Sequence, residues 1–225
     1  MCVTGPPCRW FTHTGKYVYM TGMAKGEDTR ERILDAAQAL VLGHGFAGVS
    51  VDQLIKSLGL TKGAFFHHFR SKNDLARALI RRYADDGLAL FRDSLARARK
   101  LSDDPLQQLL ILVGLYEELF EKLTEPYPGC LLASYVYELR QFDEETRAII
   151  NEEFIESRRE VMKLIRAIMK KYPPRRPVDP MALADAFMST FEGAFILSKS
   201  LNEADITVKQ LRLYRTTLEA LFLPE

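Results

Sequence analysis

The chain is short of the residues that do most covalent chemistry. Its 225 residues include 3 cysteines and 4 histidines. Cys2, Cys8 and Cys130 are odd in number in a long chain, which argues against a disulfide framework and for a reducing compartment. His13, His44, His67 and His68 show no metal-ligand spacing with one another or with a cysteine. His67 and His68 are adjacent, so they leave their helix on different sides. No Gly-x-Ser-x-Gly, phosphate-cradling glycine loop or His-Glu-x-x-His occurs. Long apolar runs are missing too. The longest, Leu109 to Leu115, falls far below the roughly 20 residues of a membrane span, and the N-terminus has no apolar core of a secretory signal. A net charge of +1 carries no message about nucleic acid by itself. These absences leave a cytoplasmic protein that is not an enzyme, holds no metal or cofactor and has no membrane part.

What is present is helical pattern throughout, with no strands, no internal repeat and no low-complexity tract. The stretch from Val49 to Leu79 organises the rest. Ser50 is a natural N-cap, and Gln53 completes a capping box. Leu54, Ile55 and Leu58 give a short helix one apolar face. Gly59 stands where a helix needs a left-handed stop, and Thr61 is ready to cap the next helix. Two short helices joined by so tight a glycine-bearing turn form a helix-turn-helix, whose second helix can enter a DNA major groove. In that second helix, Thr61 to Phe69, Phe65 and Phe69 share a face that must be the core face. Gly63 and His67 then point the opposite way, flanked by Ala64 and Phe66. Gly63 permits close backbone approach, and Lys62 can meet a phosphate beside the exposed N–H groups of the helix start.

Around this stretch the pattern predicts nine helices. The first runs from Thr29 to Leu42 and completes a three-helix head. A capping box at Ser71 and Asp74 opens a long connecting helix, 73–100, shared by head and body, through which movement in the body can swing the head. Five body helices follow at 106–123, 130–140, 143–171, 181–200 and 206–222, with loops at 125–129 and 172–180. Acidic pairs such as Glu152-Glu153 read as solvated faces. Residues 1–22 carry no periodicity and read as a disordered extension; 23–72 form the DNA-binding domain and 73–225 the ligand-binding and dimerisation domain.

The string Leu58-Gly59-Leu60-Thr61-Lys62-Gly63-Ala64-Phe65-Phe66-His67-His68-Phe69, followed by Ser71-Lys72-Asn73-Asp74-Leu75, resembles the TetR family of transcriptional regulators from about Thr29 to Leu79. Two positions depart from the family pattern. Phe66 stands where Tyr is usual, which removes a phosphate-bonding hydroxyl, and Ala64 stands where Thr or Ser is common. The resemblance implies an all-α regulator with a helix-turn-helix head. It also implies a homodimer that reads a pseudo-palindromic operator in double-stranded DNA, and a small-molecule effector that releases a repressor. Its DNA-facing residues would be Ser50, Thr61, Lys62, Gly63, Ala64, Phe66, His67, His68 and Lys72. One rival reading is an activator or a regulator with no effector; the other is a helical small-molecule-binding or Cys-reactive sensor that does not bind DNA.

Aromatic residues recur at four-residue spacing in the body: Phe187, Phe191 and Phe195 on one helix, Tyr116 and Phe120 on another. Such stripes line a core, an interface or a ligand cavity. For the dimer seam, the last helix offers Val208, Leu211, Tyr214, Leu218 and Leu221. Gly129-Cys130-Leu131, with Glu138 downstream, resembles a branch of the same family, some of whose members respond to reactive or unsaturated small molecules. On that resemblance Cys130 joins Tyr116, Tyr135, Glu138, Phe191 and Glu192 at the effector site. The plainer alternative is a buried, inert thiol.

Overall fold

Capping chemistry sets most of the helix boundaries. A computed structural model describes residues 10–11, 17–18 and 25–223, and among these it contains nine α-helices. They are α1 (Lys25–His44), α2 (Val51–Leu58), α3 (Lys62–His68), α4 (Lys72–Leu101), α5 (Pro105–Glu121), α6 (Leu131–Tyr137), α7 (Glu144–Lys171), α8 (Pro180–Leu201) and α9 (Ile206–Phe222). A 3-10 turn, Leu139–Gln141, follows α6. Asp104 caps α5 and Asp179 caps α8, each with a proline in the first turn, where the missing N–H costs nothing. Asp143 accepts from the Thr146 N–H at 2.9 Å and starts α7.

The fold is all-α as expected, with one two-residue ladder besides the helices among the described residues. Trp10–Phe11 (β1) pairs antiparallel with Tyr17–Val18 (β2). These aromatic and β-branched residue types suit an extended backbone. The remainder of the extension expected over residues 1–22 lies outside the described residues.

The chain divides into two compact units. One takes the chain up to Arg82 together with Cys130–Arg147; the other takes Tyr83–Gly129 and Ala148–Glu225. The first unit therefore holds the three-helix head, the opening of α4, and a later segment carrying α6 and the 3-10 turn. Its core joins Ile33, Leu34, Ala37 and Val41 of α1 to Leu54 of α2, Phe65 of α3 and Leu75, Leu79 and Ile80 of α4. In the second unit α5 is central, as its nearly continuous apolarity requires: Leu106, Leu109, Leu112 and Val113 are fully buried.

Four of the five residues expected for a seam on α9 are taken up within the chain, and the fifth, Leu221, is half-buried. Val208, Leu211, Tyr214 and Leu218 are all 5 % exposed or less within the single chain. The Tyr214 hydroxyl donates to the Leu183 carbonyl of α8 at 3.0 Å. Helical periodicity marks the more apolar face, and here the subunit's own core takes it. The opposite faces of α8 and α9 instead present Ile196, Leu197, Leu201 and Leu213 to solvent, each about half exposed. This second apolar face explains why α8, of all the described helices, is long and apolar enough to cross a bilayer by length and composition.

Candidate functional site

The helix-turn-helix is built by local hydrogen bonds. Ser50 Oγ accepts the Gln53 N–H at 3.1 Å, and the Gln53 side chain accepts the Ser50 N–H at 2.9 Å. Gly59 ends α2 at φ 64°, a left-handed backbone that a side chain would strain. The Leu60 N–H then closes on the Ile55 carbonyl at 3.0 Å. Thr61 Oγ1 accepts the Ala64 N–H at 3.1 Å and starts α3. Phe65 and Phe69 are buried, so α3 turns Thr61, Lys62, Gly63, Phe66 and His67 outward. Phe66 is 50 % exposed, a large apolar ring held in solvent. A Cβ on Gly63 would meet nothing nearer than Thr61 Oγ1 at 3.9 Å, so the backbone there is open to approach. Lys62 lies 3.0 Å from Asp52 across the mouth of the motif, in a pair exposed enough to give way to a phosphate. Ala64 and His68 are half-buried. His68 packs against His67 at 5.1 Å, and its pKa is lowered by burial first, then by the charges of His67 and Arg30.

Lys72 is turned away from this face. Its ammonium donates to the Phe46 carbonyl at 2.6 Å and lies 4.2 Å from the centre of the Phe46 ring. Burial lowers its pKa, against the opposing pull of Glu138. The expectation of Lys72 among the DNA-facing residues is therefore corrected: the side chain is held at the α1–α2 turn, where the Phe46 carbonyl accepts from its ammonium as well as from the Val49 N–H at 3.3 Å.

Glu138 and Tyr135, expected at the effector site, are found at the same turn. The N–H groups of Phe46 and Ala47 donate to Oε1 and Oε2 of Glu138, each at 2.8 Å. Charge-assisted bonds of this kind contribute about 1.5–3 kcal/mol each. Gln141 Nε2 adds a third donor at 2.8 Å. Gly45 precedes them at φ 72°, and a Cβ there would stand 2.8 Å from Glu138 Oε1. Tyr135 is 0 % exposed. Its ring stacks on Phe142 at 4.5 Å and tilts against Phe46 at 5.6 Å. It also lines a cavity of about 10 Å³ with Ala37, Val41, Leu54 and Leu79 of the head. The Tyr135 hydroxyl has no hydrogen-bond partner there, and burial raises its pKa. Cys130 is the half-buried N-cap residue of α6 and makes no side-chain capping bond.

Tyr116, Phe191 and Glu192, the other expected effector residues, belong to the second unit. Tyr116 meets Phe187 at 6.2 Å and Phe191 at 5.1 Å, and Phe120 extends the cluster to Phe195 at 5.4 Å. Glu153 of α7 stands beside this aromatic nest. Burial, then the neighbouring Glu192 charge, pushes its carboxyl up to about 7. Its Oε2 is buried without a hydrogen-bond partner, while Oε1 has only a long contact of 3.5 Å from Ser157. The same burial, followed by the Glu153 charge, raises the Tyr116 phenol. Glu153 is therefore no solvated residue. Its spacing of four from both Ile149 and Ser157, two buried positions of α7, was the available signal. Among the described residues no cluster suited to a metal ion occurs.

A helix-turn-helix with an outward second helix, carried ahead of an all-α body, defines a DNA-binding transcriptional regulator. The family model for bacterial regulatory proteins of the tetR family matches residues 33–79. The transcriptional regulator AcuR of Cereibacter sphaeroides is 30 % identical over 155 residues, which is 69 % of each chain. The transcriptional repressor NemR of Escherichia coli is 39 % identical over 56 residues, 25 % of this chain and 28 % of its own. A crystal structure of a TetR transcriptional regulator from Chloroflexus aurantiacus superposes with a TM-score of 0.71 at 25 % identity, over 89 % of this chain and 98 % of that one. The chain belongs to the TetR family of transcriptional regulators, and it is not an enzyme.

Proposed function

We propose that the protein is a cytoplasmic homodimeric repressor that two matching heads dock onto a pseudo-palindromic operator, and that a small molecule bound in the body lowers its affinity for DNA. The observation that carries this reading is the outward face of α3. Lys62, Gly63, Phe66 and His67 are exposed together over a buried Phe65–Phe69 floor. Phosphate contacts from Lys62 and the capped N-terminus of α3 set position, while Phe66 and His67 face the bases. Support for the dimer comes from the exposed apolar residues of α8 and α9, which suit a two-fold, self-complementary bundle. Support for the effector comes from the aromatic nest of Tyr116, Phe187 and Phe191. It suits an apolar molecule that brings a hydrogen-bond donor to Glu153. Repression is the role carried by the name of the relative NemR. An effector can act only through a difference in its affinity for the DNA-competent and DNA-released states.

The test is fluorescence anisotropy with DNA flanking the protein's own gene, on a sample whose mass in solution is measured by light scattering. A dimer should bind one segment of this DNA far more tightly than random sequence. Lys62→Ala should weaken binding to all sequences and lower the slope of log affinity against log salt by about one. An unchanged slope would remove Lys62 from the interface, and equal affinity for every sequence would remove the operator.

A further inference from the structure

The segment Cys130–Arg147 lies far along the chain from the head, yet it is part of the head's compact unit. Three anchors hold it there. Arg77 of α4 pairs with Asp143, and with Glu145 at 3.1 Å. The rings of Tyr135 and Phe142 close over Phe46. Glu138 takes the amides of Phe46 and Ala47, one on each carboxylate oxygen. Phe46 is thereby gripped from both sides, since its carbonyl accepts from Lys72. Ser50, which caps α2, stands four residues further on. The position of the helix-turn-helix thus begins at a turn whose two successive amides have the same side chain for a partner.

We infer that Glu138 is a positioning residue for DNA binding: it fixes the α1–α2 turn, and the segment 130–147 acts as a latch whose release loosens the recognition motif. The latch is built to open. Its three donors satisfy the Glu138 carboxylate, but Tyr135, which lines a small and mostly apolar cavity, carries a fully buried hydroxyl with no hydrogen-bond partner. That desolvated hydroxyl opposes closure. One side chain therefore holds the latch shut while a neighbour weakens it, and α6 links both to Cys130 at its start. An event that pulls on α6 acts on the turn through Glu138. This inference goes beyond the contact face of α3, although it rests on the same DNA-binding reading.

The two side chains make opposite predictions in the full-length protein. In Glu138→Gln, one amide loses its acceptor and meets an NH₂ group instead. Hydrogen exchange at Phe46 and Ala47 should quicken about tenfold or more, and DNA affinity should fall with no change in salt slope, because no phosphate contact is lost. Glu138→Asp should restore exchange only in part, since its carboxylate is one methylene short. In Tyr135→Phe, the orphaned hydroxyl is gone; exchange at the same two amides should slow, and DNA affinity should hold or rise. Because hydrogen exchange needs no DNA, it separates the latch from the DNA-binding reading. A wild-type protein that binds no DNA, with both exchange effects present in the variants, would overturn the latter alone. Amides in Glu138→Gln that stay as protected as in wild type would overturn the latch, as would faster exchange in Tyr135→Phe. A variant with loosened amides and unaltered DNA affinity would leave Glu138 a mere structural strut and overturn its positioning role.

Discussion

Glu138 and Glu153 stand fifteen positions apart, one in each compact unit, and they have opposite surroundings. Both are partly buried. Glu138 meets two backbone amides and a Gln side chain at 2.8 Å, with the Lys72 ammonium close by. Glu153 meets a long Ser157 contact and the like charge of Glu192, and one of its oxygens meets no partner. A carboxylate with donors is a strut: its charge is used up in holding the chain. A carboxylate with one long donor contact beside a second acid is a poised group, whose charge is held at a cost and can be relieved by a proton or a ligand. Glu117 shows that burial alone does not make the difference. It is 7 % exposed, yet Arg212 and Arg215 both pair with it.

The comparison breaks most sharply at Gly45. Its φ of 72° is strained for any side chain, and a Cβ there would stand 2.8 Å from Glu138 Oε1. Gly45→Ala combines an unfavourable backbone with displacement of the carboxylate, for a loss of about 3 kcal/mol. Urea denaturation followed by circular dichroism reads this directly. A loss below about 1 kcal/mol would mean that the turn can move without disturbing Glu138.

At Glu153 the effect has the opposite sign and depends on pH. The folded protein holds the Glu153 proton up to about 7, against an ordinary value of 4.5. A raised carboxyl contributes stability below its unfolded pKa and loses it as pH rises through the folded pKa. Stability should therefore fall between about pH 4.5 and 7 on account of this group. Glu153→Gln imitates the protonated acid. It should leave the melting temperature at pH 5 nearly unchanged and raise stability at pH 8 by on the order of 2 kcal/mol. Melting curves at the two pH values check this. Equal effects at both would show that the carboxyl is not held protonated by its surroundings.

How far these features could be read from sequence follows from how local their causes are. The Ser50–Gln53 box, the Gly59 stop and the Thr61 cap lie within a few residues of what they cap, so the helix-turn-helix was legible in full. Phe65 and Phe69 fixed which way α3 faces. The roles of Lys72 and Glu138 were not legible. Both act on Phe46, and Glu138 lies 92 positions away from it; no periodicity carries that information. Family resemblance pointed Lys72 at DNA and Glu138 at an effector, whereas two amides and a carbonyl of one turn engage both side chains. The α9 stripe of Val208, Leu211, Tyr214 and Leu218 was legible as apolar, but its partner was not, because a subunit core and a dimer seam use the same spacing. Glu153 was misread because pairs of acids are usually solvated. Its place on the buried row of α7 was stronger information than its neighbour Glu152.

The smallest expected effects sharpen the comparison by removing one weak donor from each carboxylate. Gln141 is exposed, and its bond to Glu138 Oε2 supplements two backbone donors already in place. Gln141→Ala should cost under about 0.5 kcal/mol, because water replaces an exposed donor readily. Ser157 is 3 % exposed and supplies the hydrogen bond recorded to Glu153. That bond favours the charged carboxylate, and burial and Glu192 oppose it. Ser157→Ala should therefore move the Glu153 titration further upward, by well under about one unit for so long a contact, while overall stability at pH 5 stays the same. Carboxyl carbon shifts followed by NMR across pH report both glutamates in one titration. A downward move of Glu153 in Ser157→Ala would mean that water or another donor enters when the hydroxyl leaves. A large stability loss in Gln141→Ala would mean that the two amides do not suffice to hold Glu138, and that the exposed edge of the latch is where its strength resides.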